Sequence, residues 1–150
     1  MVIDITTYVS IFLIAFLAAT LLPAQSELAL AGLLAAGSQP AAALILAAWA
    51  GNTLGSASNW LLGYYVQRFS TRRWFPLKAH QLQKAEGWHR RYGRWSLLLS
   101  WMPVIGDPLT LAAGVLREPF WSFISIVAFA KLARYLVVAG ITFQWLGMIP

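Results

Sequence analysis

The chain has 150 residues, 59% of them hydrophobic and only 11% charged, with a net charge of +6. Mean hydropathy is +0.65, whereas a soluble domain carries about 25% charged residues, so the composition excludes an ordinary water-soluble globule and fits a one-domain integral membrane protein. The chain has no cysteine, which excludes a disulfide framework, a thiol nucleophile and a thiolate metal site.

The first residues carry Asp4 and no Lys or Arg, so the basic start of a cleaved signal peptide is missing. Residues 5–37 then contain one charge, Glu27. As a single helix they would be about 50 Å long, against a hydrocarbon core of about 30 Å. Pro23 interrupts the run, and Ser26 is suited to cap a helix starting at Glu27. These features predict a re-entrant hairpin over 5–37, whose tip must line protein or water because its backbone is freed there.

Pro40 opens a predicted transmembrane helix over 41–65. It carries Gly51, Asn52, Gly55, Ser56, Ser58, Asn59 and Gly63, and small residues at such spacing let helices approach closely. Asn52 and Asn59, seven apart, share a face and serve either as interhelical hydrogen-bond partners or as cavity lining. Whether this helix packs within its own chain or against a second protomer, as in a homo-oligomer, stays open.

From Arg68 to Arg94 there are eight Lys/Arg and one acid, Glu86. Such an excess marks a cytoplasmic loop, here 66–94, and the flanking apolar segments explain the charge without nucleic acid. Leu77, Leu82, Ala85, Trp88 and Tyr92 fall within an arc of about 140° at 100° per residue. This predicts an amphipathic helix lying on anionic lipid headgroups. His80 and His89 are nine apart with no third ligand, so they read as solvated histidines. No metal or cofactor is expected.

Residues 95–116 are apolar again, but Pro103, Gly106, Asp107 and Pro108 lie close together within them, which speaks against a regular helix at that point. A second re-entrant hairpin is predicted there, with a single kinked spanning helix as the rival topology. Pro119 then opens a transmembrane helix over 119–146 that carries Lys131 and Arg134 inside it. The stretch from Pro23 to Glu27 parallels that from Pro103 to Asp107, and each is followed by one spanning helix. With the basic loop inside, the hairpins enter from opposite faces. The predicted fold class is an all-α integral membrane protein: an inverted repeat of two re-entrant helical hairpins, each followed by a transmembrane helix, plus a cytoplasmic amphipathic helix.

The Pro23–Glu27 tip, the pattern Gly55-x4-Trp60-x2-Gly63, the tract Leu99–Gly114 and Lys131-Leu-Ala-Arg134-Tyr135 together resemble the DedA family, whose domain is the SNARE-associated or VTT domain, and more closely its short YqaA-type branch. The similarity covers almost the whole chain. It implies two facing re-entrant hairpins in the bacterial inner membrane, and movement of phospholipid or of the polyprenyl-phosphate carrier between leaflets, in the manner of a flippase or scramblase and often with dependence on the proton-motive force. The chain departs from the mainstream pattern Gly-Arg-Phe-x-Pro-Gly-x-Arg at the second tip. Ser100 stands in place of the first arginine, Gly106-Asp107 replaces the second, and Ser56 stands where mainstream members have an acid.

Glu27, Asp107, Lys131 and Arg134 are ionisable groups at membrane depth, where isolated charges neutralise or pair. They form either two structural ion pairs or a polar transport groove. In the second reading Arg134 binds a phosphate, Lys131 assists, Asn52 and Asn59 line the path, and a carboxylate, by preference Glu27, exchanges a proton. Pro23, Ser26, Pro103, Gly106 and Pro108 shape the two tips. A proton-coupled transporter of a small solute or ion is the alternative, and a non-transporting structural or assembly protein a further one. No HExxH or GxSxG motif supports an enzyme.

Overall fold

The computed structural model describes residues 4–20, 25–65, 79–101 and 106–147. Pro23, Pro103 and Leu77 lie outside the described residues, as do the side chains of His80, Leu82 and Ala85. The described elements are α1 (Ile5–Thr20), α2 (Gln25–Ala36), α3 (Ala41–Tyr65), α4 (Ala79–Tyr92), a 3-10 helix (Gly93–Trp101), α5 (Gly106–Val115) and α6 (Phe120–Trp145). The described residues are helical, with no strand among them.

Local chemistry sets several boundaries. At the start of α1 the Asp4 carboxylate accepts hydrogen bonds from the Thr6 amide at 3.1 Å and the Thr7 hydroxyl at 2.9 Å, as a capping acid should. The Thr7 hydroxyl bond, ahead of the other local bonds, holds this carboxyl below its ordinary value. Helix α2 ends at Gly37, whose φ of +65° is the left-handed conformation that glycine adopts freely at helix ends. The Tyr8 hydroxyl donates to Gln39 Oε1 at 2.9 Å, which brings the start of α1 beside the α2–α3 turn. The two arms therefore run in opposite directions.

Helix α3 is the axis of packing, and glycine makes that possible. A Cβ at Gly51 would collide with the Phe12 carbonyl of α1, and one at Gly55 would lie 2.6 Å from the Ala19 Cβ. Further along, a Cβ at Gly63 would strike the Leu111 carbonyl of α5, and one at Gly114 the Trp60 carbonyl of α3. The first half of α3 thus meets α1 at backbone distance and the second half meets α5.

Two apolar clusters result. Ile11, Ala15, Leu30, Leu44, Ala48 and Tyr135 join α1, α2, α3 and α6. Trp60, Leu97, Ala113, Phe123 and Val127 join α3, the 3-10 helix, α5 and α6. On α6, Lys131 falls between Val127 of one cluster and Tyr135 of the other. The outer faces stay apolar: Leu13 and Leu17 on α1, Leu46 and Leu54 on α3, and Leu136, Val137 and Ile141 on α6 are exposed. A molecule in water would bury such surface. Helix α6 is the described helix both long and apolar enough to cross a bilayer. Helix α3 has 25 residues, but buried Asn52, Thr53, Ser56 and Asn59 lower its hydropathy.

Three expectations are corrected. Ser26 does not precede its helix, because α2 begins two residues earlier than predicted, at Gln25. The cluster Gly106-Asp107-Pro108 does not exclude a regular helix but starts one, α5. Pro108 lies in the first turn, where an amide has no intrahelical acceptor and its loss is harmless. His89 is not solvated: it is buried, with Nε2 3.5 Å from a Glu118 carboxylate oxygen and Nδ1 3.2 Å from the Ser96 hydroxyl.

Candidate functional site

Helix α6 places three side chains on one side by spacing alone. Lys131, Arg134 and Tyr135 are separated by three and four positions, which on a helix makes them neighbours. Lys131 reaches α3 and α5, and the other two reach α2. The Lys131 ammonium donates to Asn52 Oδ1 of α3 and lies 3.7 Å from Asp107 of α5. Arg134 forms an ion pair with Glu27 of α2. The Tyr135 hydroxyl donates to Ser26 Oγ at 3.0 Å. The first turns of α2 and α5 therefore converge on one stretch of α6, and all four charges expected at membrane depth are paired across elements.

The asparagines of α3 support this arrangement from behind. While Asn52 receives Lys131 through its oxygen, its amide group donates to the Ala15 carbonyl of α1 at 3.2 Å. Asn59 donates to the Ala19 carbonyl at 2.8 Å and to the Thr110 hydroxyl of α5 at 3.3 Å. The Ala19 carbonyl belongs to the last turn of α1, which has no intrahelical donor, so Asn59 satisfies an otherwise orphaned acceptor. Asn52 touches the charged cluster directly. Asn59 braces α1 and α5 and does not reach the charges.

The two ion pairs differ in what surrounds them. Lys131 is sealed, its side chain 1% exposed. Glu27 and Arg134 instead stand on the wall of an open cavity of about 660 Å3. Its other walls are Leu98 of the 3-10 helix and Phe129, Ala130, Ala133, Val137 and Val138 of α6. Among its described lining residues the cavity is a greasy trough along α6 with one ion pair. Ser26, Gly106 and Pro108, expected at the tips, occupy the first turns of α2 and α5. Gly106 is needed for closeness of approach, because a Cβ there would strike the Ser100 carbonyl, so glycine lets α5 start against the 3-10 helix. Ser100, at the position of a mainstream arginine, is buried. Among the described residues no group of three or more His, Asp or Glu could hold a metal.

Residues 22–144 match the model of the VTT domain. The chain belongs to this family, the DedA family. It is 42% identical to the inner membrane protein YqaA of Escherichia coli over 135 residues, covering 90% of each chain. An uncharacterized protein of Haemophilus influenzae is 38% identical, with 85% of this chain and 82% of that one covered. Undecaprenyl phosphate transporter A of Staphylococcus aureus is 30% identical over 73% of this chain and 60% of its own length. No solved structure matches the chain. The protein is thus an all-α membrane protein of the DedA family, with an inner membrane protein among its near relatives.

Sequence reasoning missed two members of the polar framework. Tyr135 was legible as the i+4 neighbour of Lys131 but carries no charge to single it out. Glu118 is a hub: its carboxylate meets His89, lies 3.8 Å from Arg94 and accepts from the Ser122 hydroxyl at 3.2 Å, and its carbonyl accepts from Trp60 Nε1 at 3.0 Å. Nothing in the local sequence around Glu118 pointed to these distant partners.

Proposed function

We propose that the protein moves an anionic lipid, a phospholipid or a polyprenyl phosphate, between the leaflets of the bacterial inner membrane. One observation carries this reading: among the described residues that line the trough along α6, all are apolar except Glu27 and Arg134. That is the complement of an amphiphile with a hydrocarbon chain and one anionic head. A small polar solute calls for a closed cavity with several convergent polar groups, which an open greasy trough does not offer. The staphylococcal relative is named for undecaprenyl phosphate, a ligand of this chemical type.

In this reading the guanidinium of Arg134 binds the phosphate through paired N–H donors. In the resting protein Glu27 occupies that guanidinium. A proton delivered to Glu27 removes its charge and frees Arg134 for the lipid head, while the chain lies against Phe129, Val137 and Val138. Loss of the proton restores the internal pair and expels the head. The pairs α1–α2 and 3-10–α5 act as two re-entrant arms entering from opposite faces, with 66–94 in the cytoplasm. Rocking of one arm against α6 turns the trough from one leaflet to the other. Lys131, Asp107 and Asn52 keep the arms registered on α6 and do not touch the cargo.

The test is translocation of labelled phospholipid and polyprenyl phosphate in liposomes, with and without a pH gradient. A charge-assisted contact of about 1.5–3 kcal/mol predicts that Arg134→Ala slows transfer about 10- to 100-fold. Glu27→Gln is expected to transfer without responding to the gradient. Parent-like transfer and coupling in both variants, at equal expression, refutes the assignment.

A further inference from the structure

Where α4 meets the 3-10 helix, Trp88, Tyr92, Trp95, Ser96 and Leu99 line a second open cavity of about 450 Å3. The helical-wheel reading placed Trp88 and Tyr92 together on the face of α4 that meets lipid. The structure splits them. Trp88 packs inward against Leu109 and Ala112, and its ring meets that of Tyr92 edge to face with centroids 6.1 Å apart. Tyr92 and Trp95 face outward, 52% and 67% exposed. Two arginines stand beside these aromatic residues: the Arg91 guanidinium lies 5.5 Å over the Tyr92 ring, and Arg94, next to Trp95, has a side chain 57% exposed with its Nε 3.8 Å from the Glu118 carboxylate.

We infer that this recess docks the headgroups of anionic phospholipid at the leaflet surface, as a site separate from the trough on α6. Tryptophan and tyrosine settle at headgroup depth, where the ring is in a greasy layer and its N–H or O–H stays wet. Lys and Arg beside an anionic leaflet add attraction that falls off within a Debye length. Charge selects the occupant. The aromatic walls alone would suit a cation, but the arginine rim repels one. A second copy of the chain would press the same positive charge against itself.

The 3-10 helix joins this site to the other one. Leu99 lines the recess, while its neighbour Leu98 lines the trough that holds Arg134. Because consecutive residues of one helix line the two cavities, the recess is the loading site in this scheme; this last step rests on the transport reading, whereas the docking does not.

The chain has no cysteine, so one introduced thiol labels cleanly. A Cβ added at Gly87 meets nothing within 4 Å, and Gly87 lies one turn before Arg91. Intact Gly87→Cys protein carrying a bimane label, placed in nanodiscs, is quenched with brominated phosphatidylglycerol and with brominated phosphatidylcholine. The glycerol lipid is expected to quench more strongly, and the added pair Trp95→Ala and Arg91→Gln to cut that preference about fivefold, the factor that one Lys or Arg contributes near an anionic surface. Arg134→Ala is expected to leave it unchanged. Equal quenching by both lipids overturns the site. So does a preference that survives the paired substitution, or one that Arg134→Ala removes, or a paired variant that loses only a dimer. The labelled protein without further changes decides the matter if the paired variant does not fold. Intact lipid preference together with normal translocation by Arg134→Ala sinks the transport reading alone.

Discussion

Glu27 and Asp107 hold matched places, each in the first turn of a short helix and each facing a cation of α6. Their surroundings are nonetheless opposite. Asp107, its own side chain 22% exposed, faces a sealed Lys131 that is also held by Asn52. Glu27 belongs to a pair standing on the wall of an open trough. The same difference runs through the glycines that follow. A Cβ at Gly114 would strike the Trp60 carbonyl, whereas one at Gly32 meets nothing within 4 Å. A repeated pattern thus supplies equivalent residues, and packing then divides the labour between them.

The largest test of that division is on the sealed side. Lys131→Met leaves Asp107 without its cation and Asn52 without its donor, and breaking a buried pair costs about 3–5 kcal/mol. A strong fall in thermal or denaturant stability in detergent is expected, with most of it recovered by adding Asp107→Asn. On the trough side, Arg134→Ala is expected to lose translocation and to cost some stability, because Glu27 is left unpaired in a mostly buried place, but less than Lys131→Met, since this pair borders an open cavity. Equal destabilisation by Lys131→Met and Arg134→Ala would erase the contrast between the pairs.

The glycines sharpen it at smaller scale. Gly114→Ala must push α5 away from α3, at about 1–3 kcal/mol. Gly32→Ala is expected to be neutral or stabilising by up to about 1 kcal/mol, the helix propensity gained. Comparing the two melting transitions checks this directly. The smallest effect is at Asp4. Its carboxyl is held low by Thr7 and Thr6, so its contribution is complete above the ordinary value of about 3.8 and is lost as pH falls through the lower folded value. Asp4→Ala should slightly weaken α1 at pH 7, and parent and variant should converge in strong acid, as followed by amide exchange at Thr6 and Thr7.

Much of the fold was legible because its causes are local. Apolar runs, Pro40, Gly37 and the basic stretch mark the helices and their breaks without reference to the rest of the chain. The break before α5 was legible, but its helical start at Gly106 was not, since a proline is read as a breaker until its place in the first turn is known. The four charges inside apolar stretches were visible as costly residues needing partners. Their pairing was not, because Lys131 and Arg134 are only three positions apart and each acid was within reach of either in the abstract. The burial of His89 was hidden for the same reason: the carboxylate beside it, Glu118, is 29 positions away.

Composition and residue order by themselves determined that this is a helical membrane chain with a repeated Pro-x-x-x-acid pattern and two acids and two cations within its apolar stretches, since hydropathy and the cost of a charge in lipid depend on residue type alone. Only the tertiary structure decided which acid meets which cation, which cation is sealed and which borders a trough, and which face of α4 remains exposed. Those outcomes depend on how closely backbones approach at Gly51, Gly63 and Gly114, and on the space left along α6 once the helices have met.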